Sequence, residues 1–197
     1  MQLTTLQLDI LQELINIGVG KAAGVMNEML HSPLELSVPR VVIVDPDHLD
    51  TLGKTSCATV CQGFKGQFNG TAALVFPPES ASTLVAALTG EEAHGLDLDE
   101  LRTGTLTEVG NIVLNGVMGA IANTLKEHIE YNVPSFQECS LEELLKIQVE
   151  DEKKVCLLAE TSFRTKDLEL EGSVYILFEV GSFNILLEAI NALVPTG

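Results

Sequence analysis

The sequence predicts an α+β fold: a single pseudo-twofold domain over 1–197, with a mostly antiparallel sheet and two long helices on one face. Three observations predict it. Glu13, Asn16, Ile17, Gly24, Leu30, Val38 and Pro39 recur 95 positions later as Glu108, Asn111, Ile112, Gly119, Leu125, Val133 and Pro134, without a gap across two long helical stretches. Phe68-Asn-Gly70-Thr-Ala-Ala-Leu-Val-Phe76 matches Leu170-Glu-Gly172-Ser-Val-Tyr-Ile-Leu-Phe178 at an offset of 102, so a small insertion separates the two registers. Each half, about 1–95 and 96–197, reads helix, strand, hairpin, helix, and a hairpin with one helix could hardly stand alone.

The elements follow in order. Thr4 with Gln7 has the spacing of a capping box, so the first helix starts near Thr5 and runs to about His31, before Pro33. It spans about 27 residues, ~40 Å. Gly18, Gly20 and Gly24 each cost up to ~1 kcal/mol against Ala inside it, and close approach by another helix or by a partner's backbone is the natural reason. Leu36 to Val44 reads as a strand with Pro39 at its start or on an edge. Asp45 to Thr51 is a turn or short helix. Ser56 to Phe64 and Gly66 to Phe76 alternate as two antiparallel strands joined at Lys65-Gly66, and Pro77-Pro78 opens a helix through Leu88 that Gly90 stops. Glu91 to Glu100 is a polar linker. A second long helix runs from about Asp99 or Thr103 to Glu130. Val133-Pro134 opens an extended stretch, Leu141 to Ile147 a short helix, Lys153 to Phe163 and Leu168 to Val180 two strands, and Ser182 to Leu193 a closing helix.

Composition narrows the function classes. The net charge is −17, with 28 acidic against 11 basic side chains, which argues against nucleic acid and disfavours an anionic membrane surface. The apolar runs are short and interrupted by Gly or charge, and Met1-Gln2-Leu3 lacks a basic region ahead of an apolar core, so the expectation is a cytoplasmic protein without a transmembrane helix. Cys57, Cys61, Cys139 and Cys156 form no paired CxxC knuckles, and Cys57 and Cys61 on one strand stand ~13 Å apart, too far for a disulfide. They read as reduced core thiols, with zinc binding as the alternative. His31, His48, His94 and His128 are scattered without ligand spacing, and no G-x-S-x-G, phosphate-binding or dinucleotide-binding loop is present.

Asp9, Glu13 and Asn16 fall in one narrow stripe of the first helix, which Gly20, Ala23 and Asn27 extend. Leu11, Leu14, Gly18, Ala22, Val25 and Met29 lie roughly opposite, so the core face is accounted for without Glu13 or Asn16. One E-x-x-N on a helix means little. Two in the same place of a repeat, each followed at the same distance by Val-Pro, are a stronger signal, although Thr105 with Glu108 also has the spacing of a capping box.

With these residues the chain resembles the CheC/CheX/FliY phosphatases of bacterial and archaeal chemotaxis, whose pattern is Asp/Ser-x3-Glu-x2-Asn followed by about 22 residues and a Pro. Asp9, Glu13, Asn16 and Pro39 fit the first copy; the second keeps Glu108, Asn111 and Pro134 but has Gly104 where Asp or Ser is expected. Two intact Glu/Asn pairs look most like CheC. The resemblance implies a phosphatase acting on the aspartyl phosphate of a CheY-like response regulator, with Asn16 and Asn111 orienting the attacking water and Glu13 and Glu108 pairing with the regulator's active-site Lys. It implies no cofactor of the chain's own, since Mg²⁺ would come with the regulator. The alternative it permits is a non-catalytic docking module for a response regulator or a CheD-like deamidase.

Overall fold

The computed structural model describes residues 4–44, 55–90, 98–148, 156–165 and 167–192. The expected turn or helix at 45–51, most of the linker at 91–97, residues 153–155 and Leu193 lie outside them. In order come α1 (Thr5–Leu30), β1 (Glu35–Leu36), β2 (Arg40–Val44), β3 (Cys57–Gly66), β4 (Gly70–Phe76), α2 (Pro78–Thr89) and α3 (Leu98–Leu125). Then follow β5 (Ile129–Tyr131), β6 (Ser135–Cys139), α4 (Leu141–Gln148), β7 (Cys156–Thr165), β8 (Leu170–Glu179) and α5 (Val180–Ala192).

α1 begins where its cap dictates. Thr4 Oγ1 accepts from Gln7 N at 3.2 Å while Gln7 Oε1 accepts from Thr4 N at 3.0 Å, the reciprocal box that satisfies two orphan donors. It ends at His31, which turns into the left-handed region at φ 50°, and Lys126 does the same at φ 58° after α3. The buried face of α1 carries Leu11, Leu14, Ile15, Val19, Ala22 and Met26. Each large apolar side chain there contributes about 1.5–3 kcal/mol by leaving water. Val25, expected in the core, is 37% exposed, and Ala23, expected on the open stripe, is buried. The helix therefore sits rotated on the core relative to the simple wheel.

All strands join one antiparallel sheet in the order β1-β7-β8-β4-β3-β5, with β2 continuing β1 along β7 and β6 continuing β5 along β3. β4 and β8 lie side by side at the centre, Gly70 opposite Phe178. Each half's outer strands thus pair with the other half's hairpin: β2 from the first half lies on β7, and β6 from the second on β3. The symmetry reaches single contacts. Ser37 N donates to Ser162 O at 2.9 Å and Asn132 N to Gly63 O at 2.9 Å, while Phe64–Phe178 and Phe76–Phe163 stack edge-to-face, both at 5.7 Å.

The main core lies between the sheet and α1, α2, α3 and α5, and a smaller one on the opposite sheet face is covered by Leu141 and Leu144 of α4. α3 has the length and hydropathy of a membrane span, but 56% of its most apolar window is buried inside the fold, largely against α1 and the sheet. Its apolarity serves the core.

Several expected boundaries move. The single strand over Leu36–Val44 is broken at 37–39, since Pro39 has no N–H to continue the ladder. The hairpin does not turn at Lys65-Gly66: those residues pair with Glu130 and Ile129, and the turn shifts to 67–69, where Asn69 Oδ1 accepts from Gly66 N at 3.1 Å. α3 stops at Leu125 instead of Glu130, because Ile129–Tyr131 is taken by the sheet edge. Thr105 lies well inside α3, where backbone N–H groups already have partners, so no capping box forms with Glu108.

Of the three α1 glycines, Gly18 meets α3: a Cβ there would stand 2.8 Å from the Val117 carbonyl oxygen. Gly20 and Gly24 face open space, with nothing within 4 Å. Gly18→Ala is therefore expected to destabilise by ~1–3 kcal/mol through overpacking, despite better helix propensity. Gly20→Ala and Gly24→Ala should each stabilise by up to ~1 kcal/mol. Urea denaturation of the three variants checks both signs.

Candidate functional site

The core face of α1 consumes none of Asp9, Glu13 and Asn16, all of which are exposed. A Glu and an Asn one turn apart bring their side chains to adjacent points on that surface. No partner holds Glu13 or Asn16 among the described residues, so the pair is a charge and a carboxamide presented to solvent. Asn27, expected to extend the stripe, is used by the fold: its Oδ1 accepts from Leu34 N at 2.8 Å and fixes the chain's exit from the helix. Gln12, beside Glu13, donates from Nε2 to the Pro39 carbonyl at 3.0 Å, which brings the Val38-Pro39 segment against the motif. The distant Pro of the sequence pattern is thus a neighbour of the helix.

On α3, Glu108 is exposed and Asn111 half-buried. The two sites differ in three ways. Asn115 Nδ2 donates to Asn111 Oδ1 at 2.8 Å, whereas the corresponding position on α1 is Gly20. Thr107, corresponding to Gln12, turns its hydroxyl back to Thr103 O at 2.6 Å and makes no such tie to the Pro134 segment. Gly104 stands where the first copy has Asp9, and it lines an open hollow of about 550 Å³ together with Leu88, Leu101, Thr105 and Glu108. A separate hollow of about 480 Å³ lies at β1 and β7, between Ser37, Pro77, Ser162 and Gly172, and includes neither motif.

An apolar surround escaped the sequence reading. Val38 is 84% and Val133 89% exposed, and Leu6 and Leu101, also one repeat apart, are 54% and 36% exposed. Ile17, next to Asn16, is 43% exposed. Solitary exposed apolar residues are ordinary, but matched ones around a repeated motif mark a surface that contacts something. The available signal was the repeat itself, which returns Val38 and Leu6 as Val133 and Leu101.

The three described thiols offer no rival site. Cys61 and Cys139 are buried, Cys57 half-buried, and all three are free. Burial, with Cys139 alongside, pushes the Cys61 thiol up to about 12, and burial also raises Cys57 and Cys139, so all three stay protonated and poorly nucleophilic at neutral pH.

Residues 58–158, just over half of the chain, match the chemotaxis phosphatase CheX family, and residues 6–43 match the CheC-like family. The chain belongs to the CheC/CheX chemotaxis phosphatase family. One relative is a Bacillus subtilis protein named CheY-P phosphatase CheC, 25% identical over 94% of each chain. In fold it is similar to Thermotoga maritima FliY, with a TM-score of 0.78 at 17% identity over 98% of this chain and 99% of that one. It is also similar to CheX in a CheX–CheY–BeF3–Mg complex from Borrelia burgdorferi, with a TM-score of 0.57 at 23% identity over 83% of this chain and 96% of the other. In family terms, the two Glu-x-x-Asn pairs stand on the solvent faces of the two long helices, outside the core that defines the shared fold.

Because Glu13 and Glu108 are exposed and make no hydrogen bond or ion pair among the described residues, Glu13→Ala and Glu108→Ala are expected to change the unfolding free energy by less than ~0.5 kcal/mol. Thermal or urea unfolding checks this; a drop of several degrees would assign the pairs to the helix interface instead.

Proposed function

We propose that this chain hydrolyses the aspartyl phosphate of a CheY-like response regulator, at two sites, in chemotaxis or a related two-component pathway of the cytoplasm. The observation that carries the reading is the pair of Glu-x-x-Asn motifs left unused by the core on two helices related by the internal repeat. The name of the Bacillus subtilis relative and the CheX–CheY complex among the similar structures support it.

The chemistry suits these residue types. An acyl phosphate is already activated, and its phosphoryl group passes through a loose transition state, so positioning matters more than proton abstraction. Water forms the new bond to phosphorus as the bond to the regulator's Asp oxygen breaks; the carboxylate leaves with that electron pair, and the water's protons pass to phosphate and solvent. The regulator's own Mg²⁺ would neutralise the phosphoryl oxygens. Asn16 or Asn111 would hold the water in line through its carboxamide. Glu13 or Glu108 would pair with the regulator's active-site Lys and fix the register of docking. Gly24, which carries no side chain on the same open face, leaves room for the regulator's loops to come close.

The test is loss of phosphate from a radiolabelled CheY-like regulator with Mg²⁺. The wild type and each of Asn16→Ala and Asn111→Ala are expected to accelerate it, while the double variant loses about 100-fold or more of the acceleration but still binds. Binding without acceleration in the wild type would leave a docking module for a regulator or a CheD-like deamidase.

With a net charge of −17 and an acidic regulator, encounter is slowed by repulsion. Added salt should therefore raise the association rate measured by stopped flow, and a steep fall would contradict the assignment of partner.

A further inference from the structure

We infer that Asn115 is a positioning residue that presets the Asn111 carboxamide and makes the second site the faster of the two; this rests on the phosphatase reading above. Asn115 follows Asn111 by one helical turn, so the two side chains meet on the same face of α3. Asn115 Nδ2 donates to Asn111 Oδ1 at 2.8 Å, and both side chains are half-buried. The other end of Asn115 is the telling one. Its Oδ1 is buried and finds no hydrogen-bond partner among the described residues, a cost that the helix does not require and that Ala or Leu at this position would avoid. What the side chain does instead is fix the amide beside Glu108.

The first copy lacks this arrangement. Gly20 occupies the matching place, nothing lies within 4 Å of where its Cβ would be, and among the described residues no group holds Asn16. Asn16 has to give up its rotamer freedom each time it orders a water, whereas Asn111 has already done so on folding. The Asn111 oxygen keeps a second lone pair, and its Nδ2 both hydrogens, so accepting one bond from Asn115 leaves the group able to hold water or a phosphoryl oxygen. Since no group among the described residues holds the Glu of either motif, the difference falls on turnover and not on docking.

Two measurements test this. In an Asn16→Ala background, where only the second site works, Asn115→Ala is expected to lower kcat about tenfold while leaving KM for the phosphorylated regulator unchanged. In an Asn111→Ala background, Gly20→Asn, for which α1 has open space, is expected to raise kcat at saturating regulator. Unchanged kcat in both variants, or an effect of Asn115→Ala confined to KM, would overturn the inference. Side-chain amide relaxation by NMR reads the same point without any activity. Asn111 should be ordered and Asn16 mobile in the free protein, and equal mobility would overturn it. Absence of acceleration by the wild type would instead defeat the phosphatase reading, and the kinetic claim with it, which the NMR result distinguishes from a free Asn111.

Discussion

The structure depends on an exchange of edge strands between the two halves. β2 completes the sheet on β7 and β6 completes it on β3, so a hairpin's unpaired N–H and C=O groups are satisfied only by a strand from the other repeat. The central pairing of β4 with β8 and the crossing of α1 over α3, close enough that Gly18 opposes the Val117 carbonyl, hold the same two halves from both sides of the core. Each link joins one repeat to the other.

That constraint also decides where chemistry can sit. α1 and α3 spend their apolar faces on each other and on the sheet, and what remains outward is the stripe with Glu13 and Asn16 on one and Glu108 and Asn111 on the other. A rigid helix backed by a sheet is a good support for a side chain that has only to place a water. The Val-Pro segments arrive at the same place because β2 and β6 begin there, and the Gln12 bond to Pro39 is the visible tie in the first copy.

The repeat is kept in backbone geometry and changed in many side chains. Positive φ at His31 and Lys126, the Ser37 and Asn132 backbone bonds and the two matched phenylalanine pairs keep the symmetry. Asp9 against Gly104, Gln12 against Thr107 and Gly20 against Asn115 break it, and all three lie on the motif-bearing faces. Core positions differ as well: Ile15, Gly18 and Ala23 correspond to Gly110, Val113 and Met118, all buried, so one shared core is filled by unlike side chains from the two copies.

The sequence by itself determined the symmetry, the order of elements, the cap at Thr4 and the Glu/Asn stripes, because each is local: a 3.6-residue period, a capping spacing or a repeat of residues at fixed offset. It misplaced what depends on neighbours far along the chain. The turn after β3 moved because β5 claims Lys65 and Gly66, and α3 stopped short because Ile129 joins the sheet. Val25 and Ala23 exchanged roles because the rotation of α1 is set by where Gly18 lets α3 approach, which no helical wheel contains. The Asn115 to Asn111 bond, the Val38 and Val133 exposure and the hollow at Gly104 likewise belong to the tertiary structure, since side-chain rotamers and surface openings exist only once the helices are packed.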